Sequence, residues 1–182
     1  MSARLAALVA VLVAAPLFAA DPPGQANRDA MKKLDFLAGK WKGEATIQFG
    51  PDRKEKLTQT EDVVYRLGGT ILVVEGVGTG KLPGQDKEGV MFNALAVMSY
   101  DADKKEYAVK AYKAEGVSVD AWLKMGDKKF EWGFTDPGRK VDVKYAVALT
   151  PKGEWNEVGE MSRDGGKTWA KFFEMTLTKV KE

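Results

Sequence analysis

The sequence contains no cysteine and no histidine. The absence of cysteine excludes disulfide bonds, a thiol nucleophile and an anchor built on a lipid-modified cysteine. The absence of histidine excludes a Ser-His-Asp triad, histidine metal ligands and a histidine-ligated haem. These two absences exclude many enzyme classes, and we expect no metal site and no cofactor.

The sequence also lacks a strong excess of either charge, with 28 Lys and Arg residues against 26 Asp and Glu residues. Charges of both signs are interspersed, which is typical of a solvated surface rather than of a nucleic-acid-binding face. We therefore expect no nucleic-acid partner. The sequence indicates no oligomeric state.

Long apolar runs are scarce, and the one that is present lies at the N-terminus. It extends from Leu5 to Phe18, follows Arg4 and precedes Ala19 and Ala20. This is the order of a secretory signal peptide, and the run is short for a membrane span. We predict that the protein is exported to the periplasm or the extracellular space, with no integral membrane span after cleavage.

The predicted organisation has three parts. Residues 1–20 are the signal peptide, residues 21–30 form a polar, flexible leader, and residues 31–182 form a single domain. The domain is predicted to begin with one turn of helix over residues 31–37.

Beyond this helix the apolar residues recur with period two, and turn residues interrupt them at regular intervals. About ten strands are predicted, at residues 40–50, 55–67, 70–78, 90–100, 105–113, 116–125, 128–135, 139–149, 153–162 and 167–180. Most connections are short, so they join neighbouring strands as antiparallel hairpins. Closure of such an up-and-down meander into a barrel removes its two exposed edges. We predict an all-β barrel, with a β-sandwich as the alternative.

The first strand opens on Gly39-Lys40-Trp41. An indole at this position can fill the narrow end of a barrel, and the glycine allows the backbone to approach it closely. We predict structural roles for Gly39 and Trp41. This Gly-x-Trp motif resembles the opening of lipocalins and of related calycin-like barrels such as the nitrobindins.

A second motif, Ser162-Arg-Asp-Gly-Gly-Lys-Thr-Trp169, resembles the Asp-box of sialidase-type propellers. In that motif a carboxylate caps backbone N–H groups of a hairpin turn, and the tryptophan packs beneath the turn. The motif occurs once here, and the chain is too short for a full six-bladed propeller. We interpret Asp164 and Trp169 as residues that fasten the last hairpin.

Aromatic residues in phase on the strands are the best candidates for the wall of an interior cavity. The predicted ligand-binding residues are Phe130, Trp132, Phe134, Tyr145 and Phe173, together with Glu75. Glu75 is the most plausible inward polar residue, and an outward position for it remains the alternative.

Glu154, Glu157 and Glu160 are close in one strand, but Glu154 and Glu160 share a face that we interpret as solvated, so no catalytic carboxylate pair is predicted.

Most of the chain resembles a family of exported bacterial lipocalin-like domains without an agreed activity. The resemblance rests on Leu34-x-Phe-Leu-x-Gly-x-Trp-x-Gly43, Gly68-Gly69, Ser99-Tyr-Asp101 and the Asp-box-like segment. It implies a calycin-like, nitrobindin-related barrel of about ten strands. Haem binding does not carry over, because nitrobindin-type barrels use a histidine. Many lipocalins place an arginine over the Gly-x-Trp indole, and the last strand here offers Lys171 and Lys179 instead.

Three functions remain open at this point. The first is a carrier that binds a small apolar or amphipathic molecule inside the barrel. The second is an isomerase or hydrolase that uses the same cavity, with Glu75, Tyr107 or Tyr145 as acid or base. The third is a solid barrel that binds a partner through its outer face.

Overall fold

The computed structural model describes residues 22–50, 53–81, 87–136 and 138–181. The predicted signal peptide lies outside the described residues, as do residues 82–86 of the connection before the fourth strand. No helix within the described ranges is long and apolar enough to cross a membrane.

Ten antiparallel strands form the domain, and they close into a barrel. Each strand pairs with its neighbours in the chain, and the first strand pairs with the last. The prediction of an all-β, up-and-down barrel is therefore confirmed, and the sandwich alternative is wrong. The strands are β1 (Gly39–Gln48), β2 (Lys54–Arg66), β3 (Ile71–Lys81), β4 (Glu88–Asp101), β5 (Glu106–Lys113), β6 (Ser118–Met125), β7 (Lys129–Asp136), β8 (Val141–Leu149), β9 (Trp155–Ser162) and β10 (Ala170–Lys179).

Two short helices precede the barrel, α1 (Gln25–Met31) and a 3-10 helix (Lys32–Leu37). The helical structure begins at Gln25, earlier than predicted. Residues 25–30, which we predicted to belong to the flexible leader, are helical. Polar contacts within the segment support this start: Asp29 accepts hydrogen bonds from both Gln25 and Lys32, at 2.9 and 2.8 Å. We call residues 25–37 the helical cap.

The helical cap closes one end of the barrel. Its apolar side chains Met31, Leu34 and Leu37 are fully buried. Two tyrosine hydroxyls fasten it to the strands, with Tyr65 donating to the carbonyl of Met31 and Tyr107 donating to the carbonyl of Ala30, each at 2.7 Å. The apolar core is therefore concentrated at the capped end.

Trp41 forms the floor above the cap. Its indole N–H donates to the carbonyl oxygen of Leu37 at 2.7 Å, and its ring meets the ring of Trp155 edge-on at a centroid distance of 5.8 Å. The Nζ of Lys179 lies 5.4 Å from the centroid of the Trp41 ring. Lys179, rather than Lys171, thus supplies the cation over this indole.

Gly39 is adapted to the same place. Its φ is +119°, and a Cβ at this position would lie 2.7 Å from Cε of Lys179. A glycine accommodates this backbone conformation without strain and leaves room for the lysine stem beside Trp41.

Candidate ligand site in the barrel interior

Strand β2 carries polar residues on its buried face. Leu57, Gln59, Glu61 and Val63 alternate with exposed residues, and all four are buried. The exposed fraction is 1% for Gln59 and 8% for Glu61. A carboxyl group and a carboxamide are thus placed inside the barrel rather than on its surface.

Glycines on the neighbouring strand β3 make room for these two side chains. A Cβ at Gly76 would lie 2.6 Å from Oε1 of Glu61, and a Cβ at Gly78 would lie 2.7 Å from Oε1 of Gln59. Real Cβ atoms are almost never found so close to another heavy atom. The polar side chains of Glu61 and Gln59 on β2 therefore pack against the backbone of Gly76 and Gly78 on β3.

The two polar side chains of β2 are joined to each other. Nε2 of Gln59 donates to Oε1 of Glu61 at 2.7 Å. The carbonyl oxygen Oε1 of Gln59 is buried and has no hydrogen-bond partner among the described residues. A buried acceptor without a partner is costly, so this oxygen is available to a donor that enters the interior.

A second carboxyl group, Glu157 on β9, lies inside the barrel with 7% of its surface exposed. The indole N–H of Trp132 on β7 donates to its Oε1 at 3.2 Å. The indole N–H of Trp155 is also buried; it lowers the pKa of Glu157 but has no partner at ordinary hydrogen-bond geometry among the described residues. We call Gln59, Glu61, Trp132, Trp155 and Glu157 the interior polar cluster.

Burial dominates the electrostatics of this cluster. Desolvation, with a smaller contribution from the negative charge of Glu157, raises the pKa of Glu61 to about 8 against the lowering effect of the hydrogen bond from Gln59. Desolvation raises the pKa of Glu157 to about 7, against the lowering effects of the Trp132 hydrogen bond and of the nearby Trp155 indole N–H. Each carboxyl is therefore readily protonated near neutral pH, and each is sensitive to an entering charge.

Aromatic rings line the interior beside Glu157. Trp132 and Tyr145 stack at a centroid distance of 4.4 Å with an interplanar angle of 11°. Phe134 lies 6.3 Å from Trp132, and Phe173 lies 6.0 Å from Tyr145. Gly159 leaves space for the Tyr145 ring, because a Cβ at this position would lie 2.8 Å from Cε1 of the tyrosine.

This aromatic wall is not covered completely. Tyr145 is surrounded by protein atoms deeply enough for burial to raise its pKa, yet part of its side chain remains accessible. Trp132, Phe134 and Phe173 share its inward phase and are also only partly buried. Solvent therefore reaches part of the aromatic wall.

The structure separates the six residues predicted to line a cavity. Trp132, Phe134, Tyr145 and Phe173 lie together, as just described. Glu75 is exposed on β3, because Val74 and Gly76 occupy the buried phase on either side of it; the outward alternative is the one observed. Phe130 is 3% exposed and lies 6.3 Å from Phe36 of the helical cap, so it belongs to the floor of the barrel.

Two acidic residues were misjudged from the sequence. Glu157 was set aside with Glu154 and Glu160, yet it lies between Trp155 and Gly159 in the buried phase of β9. Glu61 was not singled out at all. The sequence did contain a signal for the burial of Glu61. Leu57, Gln59, Glu61 and Val63 are spaced two residues apart, and the next strand, β3, has glycines at alternate positions, which leave room for large side chains.

The turn before β10 is built on Asp164. Its Oδ1 accepts hydrogen bonds from the backbone N–H groups of Lys167 and Thr168 at 3.0 and 2.9 Å. The hydrogen bond from the Thr168 hydroxyl, together with these backbone bonds, lowers the pKa of Asp164 to about 2. Trp169 donates to the carbonyl of Gly166 at 3.1 Å within the same turn, and the Nζ of Lys144 on β8 lies 4.0 Å from the centroid of its ring.

Ser162 at the start of this turn is buried. Its hydroxyl donates to Oδ1 of Asp164 at 2.8 Å and accepts from the backbone N–H of Gly166 at 2.8 Å. These two bonds satisfy the buried hydroxyl within the turn.

A groove also lies outside the barrel, between the helical cap and the turn that joins β6 to β7. It is open to solvent and is lined by Lys32, Lys33, Asp35, Phe36, Met125, Gly126, Asp127 and Lys128. Across the parts of the chain that the structure describes, no three acidic side chains converge in a way that could hold a metal ion. The interior polar cluster is thus the strongest candidate site.

The protein is defined by its fold and site as a closed ten-stranded antiparallel barrel, capped by helices at one end, with a pair of buried carboxyl groups inside. Residues 26–129, more than half of the chain, match the family described as "Protein of unknown function (DUF1579)". The chain belongs to this family. A search of curated proteins finds no match to it.

Proposed function

We propose that the barrel interior binds one small amphipathic molecule and that the protein is an exported, lipocalin-like carrier. The observation that carries this proposal is the presence of two unpartnered buried polar atoms, Oε1 of Gln59 and Nε1 of Trp155, in a barrel whose inner face also has a partly accessible aromatic wall. A ligand that pairs with these atoms would remove a desolvation cost of about 1–3 kcal/mol for each.

The apolar part of such a ligand has a surface to bind. Trp132, Phe134, Tyr145 and Phe173 present rigid rings, which bury a large area at a low cost in side-chain entropy. Binding sites for small molecules are commonly apolar cavities with a few polar groups that fix orientation. The interior polar cluster and the wall have this composition.

Acid-base catalysis in the same interior is the second candidate, and one observation favours it. Glu61 and Glu157 are buried together with pKa values raised to about 8 and about 7, a range suited to proton transfer at neutral pH. Two of the three residues first considered for this role are less suitable. Glu75 is exposed, and the Tyr107 hydroxyl is used to hold the helical cap.

The carrier proposal can be tested with a neutral fluorescent dye, N-phenyl-1-naphthylamine. We expect saturable binding with one site per chain and energy transfer from tryptophan to the dye. Trp132→Ala should weaken binding about tenfold or more, since it removes the ring that stacks on Tyr145 and the donor to Glu157.

Trp122→Ala is the matched control, because the Trp122 side chain is exposed on the outer face of β6. This variant should bind the dye like the wild type. If no saturable binding occurs at any pH at which the protein is folded, the carrier proposal is wrong and a solid barrel that binds a partner through its outer face takes its place.

A further inference from the structure

We propose that the polar end of the ligand is a protonated amine, held between Glu61 and Glu157. This inference rests on the proposed function and specifies the chemistry of its ligand. Three properties of the interior favour such a ligand: its hydrogen-bonding groups, the absence of a buried lysine or arginine among the described residues, and its aromatic rings.

The interior polar cluster has more acceptors than donors. Oε1 of Gln59 has no partner, and the two carboxyl groups receive one direct hydrogen bond each, from Gln59 and from Trp132. The indole N–H of Trp155 is the one unpaired donor of the cluster, and it lies beside Glu157, so free acceptors outnumber free donors when the acids are ionised. A carboxylate can accept about four hydrogen bonds in all. A primary ammonium group has three N–H donors and no acceptor, so it complements this surplus.

The interior also lacks a countercharge for its acids. None of the ion pairs between described residues involves Glu61 or Glu157. No described lysine or arginine side chain is buried. Two of them, Arg28 and Lys144, are only partly exposed. Arg28 lies in the helical cap, and Lys144 pairs with Glu160 on the outer face of the barrel. A cation that enters the barrel would therefore meet two acidic groups without a competing positive charge.

The aromatic residues favour the same ligand class. The indoles of Trp132 and Trp155 lie next to Glu157, and tryptophan rings attract organic cations more strongly than other aromatic residues do. The wall of Trp132, Tyr145 and Phe173 can bury the carbon chain of the amine. Acid and aromatic groups together discriminate against an anion or a neutral alcohol of the same shape.

The groups that face the acids are few. Glu61 faces Gln59 and Glu157, whereas Glu157 faces the indoles of Trp132 and Trp155 and the phenol of Tyr145. Burial raises the pKa of Tyr145 above its ordinary value, so the phenol stays neutral through the range in which the acids titrate. Amine binding should thus be controlled by the two carboxyl groups.

The test compares three ligands of equal chain length, octylamine, 1-octanol and octanoate, as competitors of bound N-phenyl-1-naphthylamine at pH 8.5. We expect octylamine to displace the dye at a concentration at least tenfold lower than that of octanol, and octanoate to be the weakest. Glu61→Gln and Glu157→Gln should each reduce the preference for the amine at least fivefold. Glu75→Gln, which changes an exposed acid, should leave the preference unchanged.

A second measurement does not depend on the folding of any variant. Calorimetry of octylamine binding to the wild-type protein at pH 7, in two buffers with different ionisation enthalpies, should show net release of protons, because the ammonium favours the ionised carboxylates. Binding without proton release would contradict the inference.

The outcomes separate this inference from the proposal beneath it. If octanol and octylamine displace the dye equally, or if octanoate is the best competitor, the amine inference is wrong while interior binding stands. If neither the dye nor any octyl compound binds, both fail.

Discussion

The indole N–H of Trp132 donates to Oε1 of Glu157 at 3.2 Å, across the strand that lies between β7 and β9. That intervening strand, β8, contributes Tyr145, whose ring stacks on Trp132 at 4.4 Å. Three consecutive strands are thus connected inside the barrel by one hydrogen bond and one ring stack. This arrangement fixes the carboxyl group of Glu157 against the aromatic wall.

The free energy of unfolding should decrease as the pH rises from about 4.5 to 8. Glu61 and Glu157 have pKa values of about 8 and about 7 in the folded protein, against an ordinary value of 4.5. The folded protein therefore binds protons in this range that the unfolded chain releases, so rising pH favours unfolding. Since each pKa unit corresponds to about 1.4 kcal/mol, we expect a decrease on the order of 7 kcal/mol, measured by denaturant unfolding at each pH.

The Glu61→Gln/Glu157→Gln double variant should lose most of this slope. Glu75→Gln is the control and should keep it. The lowered pKa of Asp164 acts at more acidic pH, so it does not obscure this range. A wild-type stability that stays constant or increases from pH 5 to 8 would contradict the burial of the two acids.

Trp41→Ala should destabilise the protein by about 3–5 kcal/mol, since it opens a cavity at the floor and removes the bond to Leu37. Thermal and chemical unfolding measure this change. Trp122→Ala, at an exposed position, should cost much less. If the Trp41 variant melts like the wild type but no longer binds the dye, Trp41 is a ligand contact and not a structural plug.

Gly76→Ala should destabilise the barrel by about 1–3 kcal/mol, because its Cβ would overlap the carboxyl group of Glu61. The loss should be smaller when Glu61→Ala is present in the same chain, as a double-mutant cycle would show. Gly138→Ala is a suitable control, since its Cβ would lie an ordinary 3.4 Å from Asp136. If the effects of Gly76→Ala and Glu61→Ala on the free energy of unfolding are strictly additive, residues 76 and 61 do not make the contact described here.

The mature protein should begin after Ala19 or Ala20, because Arg4, the apolar run and the small residues follow the order of a signal peptide. N-terminal sequencing of the protein isolated from the cell envelope and from the medium measures this directly. An N-terminus at Met1 or Ser2 would contradict export.

Period-two alternation and short turns were sufficient to predict the barrel. The capping of one end was partly predictable, because Gly39 and Trp41 form a recognisable pair, whereas the contacts from Tyr65 and Tyr107 depend on tertiary proximity. The aromatic side of the interior was predictable for the same reason as the strands: Trp132 and Tyr145 alternate with polar residues.

The polar side of the interior was not predicted, because alternation assigns an acidic residue to the solvated face by default. Glu61 breaks that rule, and only its register against Gly76 makes the buried position possible. Glu75 was chosen because it lies among valines, yet its neighbours Val74 and Gly76 face inward, and the valines in phase with it, Val73 and Val77, face outward. The pairing between strands, which a single sequence does not display, decides such cases.

The most direct measurement of interior binding uses the side-chain N–H signals of the five tryptophans in a two-dimensional nitrogen–proton NMR spectrum. Trp132 and Trp155 belong to the interior polar cluster, whereas Trp122 lies on the outer face and Trp169 in the last hairpin turn. On titration with N-phenyl-1-naphthylamine, the signals of Trp132 and Trp155 should shift saturably with a common affinity, and those of Trp122 and Trp169 should not. Saturable shifts confined to Trp122 or Trp169, or no saturable shift at all, would contradict a ligand site inside the barrel.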